Sequence, residues 1–266
     1  MDFIDISTLI AAFCYLFATA SILSKLFDSK GPNHLVVLLL ACIAIVPHTL
    51  LTTNALFVDG AINFNLPNVV TLVSVVITML ITATAVKYQL NLLQPAAYGF
   101  ASIWLFISFF LPDVAHIPLA VTQATVLSHI TLSLIAYCVL IIACLYGFQV
   151  AYINMKLKSK NLAAVNHLPP LMLVERQLFT ILAVGTIALA ATNLTGFIFL
   201  DGLFNTDNAH KTVLSLLALL IYSIILWGHF KNGWRGHRVL TLTLVATALL
   251  TLSYFGSRFV KEFLLS

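Results

Sequence analysis

The sequence predicts an all-α polytopic membrane protein, and three observations carry that reading. Hydrophobic residues make up 61% of the 266 positions and charged residues 8%, with a mean hydropathy of +1.05, far from what a water-soluble domain shows. The apolar residues fall into continuous runs of about 20, the length a helix needs to cross roughly 30 Å of hydrocarbon. Strand-like alternation is absent from those runs, which argues against a closed barrel. About eight transmembrane helices are expected, over 4–27, 35–57, 69–88, 96–111, 125–153, 178–200, 213–230 and 239–263, forming one transmembrane domain over 1–266.

The first run lacks a small-residue cleavage site and follows acidic rather than basic residues, so it reads as a retained helix. The second carries Pro47 and His48. The fourth is the shortest and is followed directly by Pro112. The fifth opens "HITLSLIAY", in which His129, Ser133 and Tyr137 recur every four residues and so share one side. After it comes the longest hydrophilic connection, "NMKLKSKNLAAVNHLPPLMLVERQLF". Its Lys156, Lys158 and Lys160 read as a stop-transfer cluster. Pro169 and Pro170 break any continuing helix, and Leu171 to Val174 are expected to dip into the interface. In the seventh run Ser215, Tyr222 and His229 are spaced by sevens, and in the eighth Thr247, Thr251, Tyr254 and Arg258 follow one another at four, three and four residues. Such stripes suit interhelical hydrogen bonds, and equally a polar cavity or the propionates of a cofactor.

Charge sets the orientation. With the N-terminus outside, the inner ends and loops hold Lys25, Lys30, Lys87, Lys156, Lys158, Lys160, Arg176, Lys231, Arg235 and Arg238, ten of the 13 basic residues. Only Lys211, Arg258 and Lys261 remain outside, so both termini are expected outside, on the periplasmic side of a bacterial inner membrane. The net charge of +4 is thus a topology signal beside an anionic leaflet, and no nucleic-acid groove is implied. In "LWGHFKNGWRGHR" the expected inner turn holds Lys231, Trp234, Arg235 and Arg238 as an interfacial anchor, with Gly233 and Gly236 permitting a tight path.

No soluble catalytic domain, nucleotide-binding glycine loop, zinc-protease or serine-hydrolase motif is visible, and the chain is not expected to be an enzyme. The four cysteines at 14, 42, 138 and 144 sit in apolar helices without a CxxC pair and read as small hydrophobes. Paired intramembrane carboxylates are absent, which weakens a proton-driven antiporter.

The histidines remain. His34, His116, His167 and His237 fall in expected loops, where solvation explains them. His48 lies about nine residues, roughly 13 Å, below the outer end of its helix, and His129 about one turn inside the outer boundary. A ring in lipid must find polar partners or face a cavity. Two neutral imidazoles brought together in the outer half can supply both axial ligands to a haem iron. Each also suits a hydrogen bond to a neighbouring helix, and the residues alone leave both readings open. His229 ends a polar stripe at the inner side.

"HITLSLIAYCVLIIACLYGFQVAY", "LPPLMLVERQLF", "LWGHFKNGWRGHR" and "YFGSRFV" resemble, in order and spacing, the cytochrome c assembly membrane proteins, which include the CcsA and CcmC haem-handling proteins. The likeness spans essentially the whole chain and is strongest to the smaller bacterial YpjD- or HemX-like branch. It implies an eight-helix inner-membrane protein with haem as ligand, and partners among cytochrome c maturation or haem-pathway proteins besides the lipid bilayer. His129 matches the family's outer-side histidine and His48 a membrane histidine of the smaller branch, which makes them the implied haem-iron ligands. His229 lies near, out of register with, a histidine of CcsA proteins, and Arg258 is placed to pair with a propionate. The departures bear on function. The family's tryptophan-rich WGxxWxWD segment is replaced by "LDGLFNTDNAHKT", and no histidine follows the final helix, leaving His210 as the substitute outer ligand to weigh. Three functions follow: haem binding for cytochrome c maturation or haem trafficking; regulation of haem biosynthesis through basic inner loops; and transport of a small solute or metal ion along the polar stripes.

Overall fold

The computed structural model of the chain describes residues 3–26, 31–58, 61–88, 90–111, 118–120, 124–160, 168–199, 209–256 and 259. Eight helices among them are long and apolar enough to cross a membrane. They fall into two compact units, Met1–Ala120 with Lys156–Pro169, and Val121–Met155 with Pro170–Ser266.

In the first unit α1 (Phe3–Lys25), α2 (His34–Leu56), α3 (Leu66–Ala85) and α4 (Leu93–Phe110) close a four-helix bundle. Each packs on its sequence neighbour, and α1 also packs on α4. Asn33 and Asn65 cap α2 and α3, their side-chain oxygens accepting from Val36 N (3.4 Å) and Asn68 N (3.0 Å). Pro67 in the first turn of α3 costs nothing there, because an N–H at that position has no helical partner. The bundle interior is filled by Tyr15, Ala41, Ala44, Ile81 and Tyr98, all essentially inaccessible. Phe13, Phe17, Leu39 and Ile103 are exposed on its outside, where lipid tails replace water as their surroundings.

Three short strands, β1 (Phe57–Val58), β2 (Ala61–Asn63) and β3 (Pro118–Ala120), form an antiparallel sheet at one end of this bundle. Phe57 pairs with Ile62, and Ile62 with Leu119. Two or three residues are too few to show an alternating pattern, so the sequence gives no sign of this sheet.

The second unit holds α5 (Ala124–Lys158) as far as Met155, α6 (Leu171–Phe199), α7 (Ala209–Asn232) and α8 (His237–Thr251), which runs on into a π-helical turn over Leu252–Gly256. Leu171 to Val174, expected at the interface, form the first turn of α6. Proline is tolerated ahead of and within a first turn, so Pro169 and Pro170 start the helix rather than interrupt it. His34 and His237, expected in loops, open α2 and α8. The turn between α7 and α8 uses Gly233 and Gly236 in the left-handed region (φ +64° and +68°), as their positions in the sequence imply.

Candidate functional site

His48 follows Pro47 in α2 and is fully buried in the first bundle. Its Nδ1 lies 3.3 Å from the Tyr15 hydroxyl on α1. Tyr15 donates to Thr78 Oγ1 on α3 (3.2 Å), and Thr78 spends its own proton on the Val75 carbonyl (2.9 Å). With its single proton committed, the Tyr15 oxygen accepts from the imidazole, which fixes the Nδ1–H tautomer. The lone pair therefore sits on Nε2, which is buried and has no hydrogen-bond partner. The Thr71 backbone faces the ring without meeting hydrogen-bond geometry at that nitrogen.

Two features flank this imidazole. On one side Tyr15 stacks on Tyr98 at 5.6 Å. The Tyr98 hydroxyl lies 2.8 Å from Thr82 Oγ1 and accepts from Gln94 Nε2 at 3.3 Å. On the other, Thr71 lines an open cavity of about 530 Å³ at the sheet-bearing end, with Asp5, Thr8, Asn63, Asn65 and Asn68. The Thr71 hydroxyl accepts from Trp104 Nε1 (2.9 Å), so this wall of the cavity is held by α4.

His129, in the second unit, is half-buried, with Nδ1 3.1 Å from Thr195 Oγ1 on α6. Thr195 donates to the Thr192 carbonyl (2.9 Å), so it too accepts from an Nδ1–H, and Nε2 again carries the lone pair. Gly196 gives the ring its place: a Cβ there would come within 3.1 Å of His129 Cε1. At the other end of the unit His229 donates from Nδ1 to the Trp234 carbonyl (3.1 Å), an acceptor under any assignment. Its ring stacks on Phe179 of α6. Gly228 leaves the space into which the Trp234 indole folds.

His48 lies in the first unit and His129 in the second, each with its partners inside its own unit. Within the second unit His129 and His229 are not brought together. Their α6 partners Thr195 and Phe179 are 16 residues apart, about 24 Å along a helix. His210 is exposed in the first turn of α7. Arg258, His116 and His167 lie outside the described residues. No group of three or more His, Cys, Asp or Glu converges among the described residues, so the donors on offer are single imidazoles.

Most of the described stripe residues are spent on helix contacts, the buried Tyr254 hydroxyl excepted. Ser215 donates to Asn193 Oδ1 (3.1 Å), Tyr222 meets Thr247 at 2.9 Å and Tyr137 meets Thr251 at 3.0 Å. Sequence reasoning missed Tyr15, Thr78 and Thr195, the groups that fix the rings. The threonines at 71, 78 and 82, spaced seven and four along α3, were the available signal for a polar face turned into the bundle, where they meet Trp104, Tyr15 and Tyr98.

The profile of the Cytochrome C assembly protein family matches residues 4–265. Inner membrane protein YpjD of Escherichia coli strain K12 is 38% identical over 256 residues, 96% of this chain and 97% of the relative. YpjD from E. coli O157:H7 matches with the same figures. A protein of Azospirillum brasilense, described as an uncharacterized 28.8 kDa protein in the nifR3-like 5′ region, is 33% identical over 142 residues, 52% of each chain. No solved structure matches.

Proposed function

Because the chain belongs to the cytochrome c assembly protein family and is a multi-pass inner-membrane protein, we propose that it is a haem-binding accessory protein, acting in cytochrome c maturation or haem trafficking. The observation that carries this reading is the orphaned Nε2 of His48. A buried nitrogen lone pair without a partner is costly to keep and suits a metal ligand. Haem iron takes an imidazole nitrogen in just this form, with the opposite N–H tied to a protein acceptor that fixes the ring and raises its basicity. His129 offers the same arrangement against Thr195, and the two histidines are the ligands we assign. His229, tied to the Trp234 carbonyl, is a third imidazole of the same kind.

When bound, haem supplies an iron centre for storage or delivery. The chain's part is to orient imidazoles, exclude water and surround the macrocycle with apolar side chains. The loop "LDGLFNTDNAHKT" has no tryptophan, which supports holding or passing haem rather than presenting it to an apocytochrome. The pairing of Tyr222 with Thr247 and of Tyr137 with Thr251 counts against a solute pathway along those stripes, since a pathway needs polar groups free to face it.

Haem titration of the detergent-purified protein tests this. A saturable Soret band is expected, altered by His48→Ala and by His129→Ala. No Soret band after haem addition would overturn the reading, and unchanged spectra in both variants would overturn the ligand assignment.

A further inference from the structure

The second unit carries a groove that neither of the two histidines assigned to haem iron lines. It lies between α6 and α7 at the end where α7 turns into α8, and has a volume of about 510 Å³. Most of its length is apolar, with Val184, Ile187 and Phe230 exposed at 55%, 69% and 75%. One end is polar: Arg235 lies 3.8 Å from Glu175, and Arg176 stands beside them. That pair is neutral as a unit. The Arg176 side chain is exposed, with no carboxylate at ion-pair distance among the described residues. His229 also lines this end. With Nδ1–H given to Trp234, its Nε2 is left as an acceptor.

We propose that this groove binds one anionic phospholipid, its phosphate on Arg176 beside the Arg235–Glu175 pair and an acyl chain along Val184, Ile187 and Phe230. The charge decides the class. An unmatched guanidinium forms charge-assisted, bidentate hydrogen bonds to a phosphate. A choline headgroup would instead add a cation among two arginines. A glycerol headgroup adds hydroxyls that can donate to His229 Nε2, so phosphatidylglycerol is the fitting probe. Basic pockets between transmembrane helices at the bilayer surface recognise anionic headgroups in this way.

Native mass spectrometry of the full chain, released from micelles doped with phosphatidylglycerol or phosphatidylcholine, tests the proposal. One phosphatidylglycerol is expected to be retained in preference to phosphatidylcholine. Arg176→Gln should lower phosphatidylglycerol retention roughly tenfold, as loss of a charged hydrogen bond does, and leave phosphatidylcholine unaffected. Glu175→Gln should raise it, because removing the carboxylate adds net positive charge. Ala183→Trp, which fills the groove, should lower both. Equal retention of the two lipids by the wild type, or phosphatidylglycerol retention indifferent to Arg176→Gln and Glu175→Gln, would overturn it.

Discussion

His48 is oriented by a hydroxyl 33 positions earlier in the chain. Removing that hydroxyl with Tyr15→Phe leaves Nδ1–H without its acceptor and frees the ring to turn. Side-chain hydrogen bonds between membrane helices contribute only about 0.6 kcal/mol on average, so the bundle should survive, and helicity by circular dichroism should be unchanged. Ligation should not: loss of an outer partner of this kind typically lowers metal affinity 10–100-fold. The expected result is weaker haem binding in a folded protein, read from the titration midpoint and from a shifted reduction potential. A normal midpoint and potential would show that Tyr15 positions nothing. The sequence marked His48 as a polar group needing a partner, but not which partner. Tyr15 is one of eight tyrosines, and only the packing of α1 on α2 and α3 selects it.

At the level of elements, the helices were legible because hydrophobic runs of about 20 residues leave few alternatives. Their ends were less so, as with Pro169 and Pro170, whose position just before Leu171 marks a start and not only a break. What no pattern revealed is why α5 and α6 come close. Gly185 and Gly196 of α6 both face α5: a Cβ on Gly185 would lie 2.7 Å from Leu140 Cδ2 and 3.2 Å from Val139 Cγ1. Leu140 is fully buried and has no room to retreat. Gly185→Val should therefore destabilise the second unit by about 1–3 kcal/mol, the usual cost of overpacking, lowering the midpoint of thermal unfolding in detergent. An unchanged midpoint would mean that α5 and α6 have slack at this crossing. Glycine in a membrane helix is common enough that neither position stood out in the sequence, whereas the glycines at 233 and 236 did, because they follow a helix end.

For the whole molecule, we propose from the asymmetry of ten of 13 basic residues that Ser159 lies inside and Asn208 outside. In a variant with Cys14, Cys42, Cys138 and Cys144 replaced by Ala, a membrane-impermeant maleimide should label Asn208→Cys in intact cells. Ser159→Cys should react only after permeabilisation, and the opposite pattern would invert the topology. We propose that the His48 imidazole is donated to a haem iron through Nε2. The most direct measurement is chemical rescue of His48→Gly, in which the cavity left by the ring is offered free imidazole while the optical spectrum of the haem-loaded protein is followed. We expect the variant to lose the wild-type spectrum and to regain it with imidazole in a saturable way. A His48→Gly protein whose haem spectrum matches the wild type before any imidazole is added would contradict the claim.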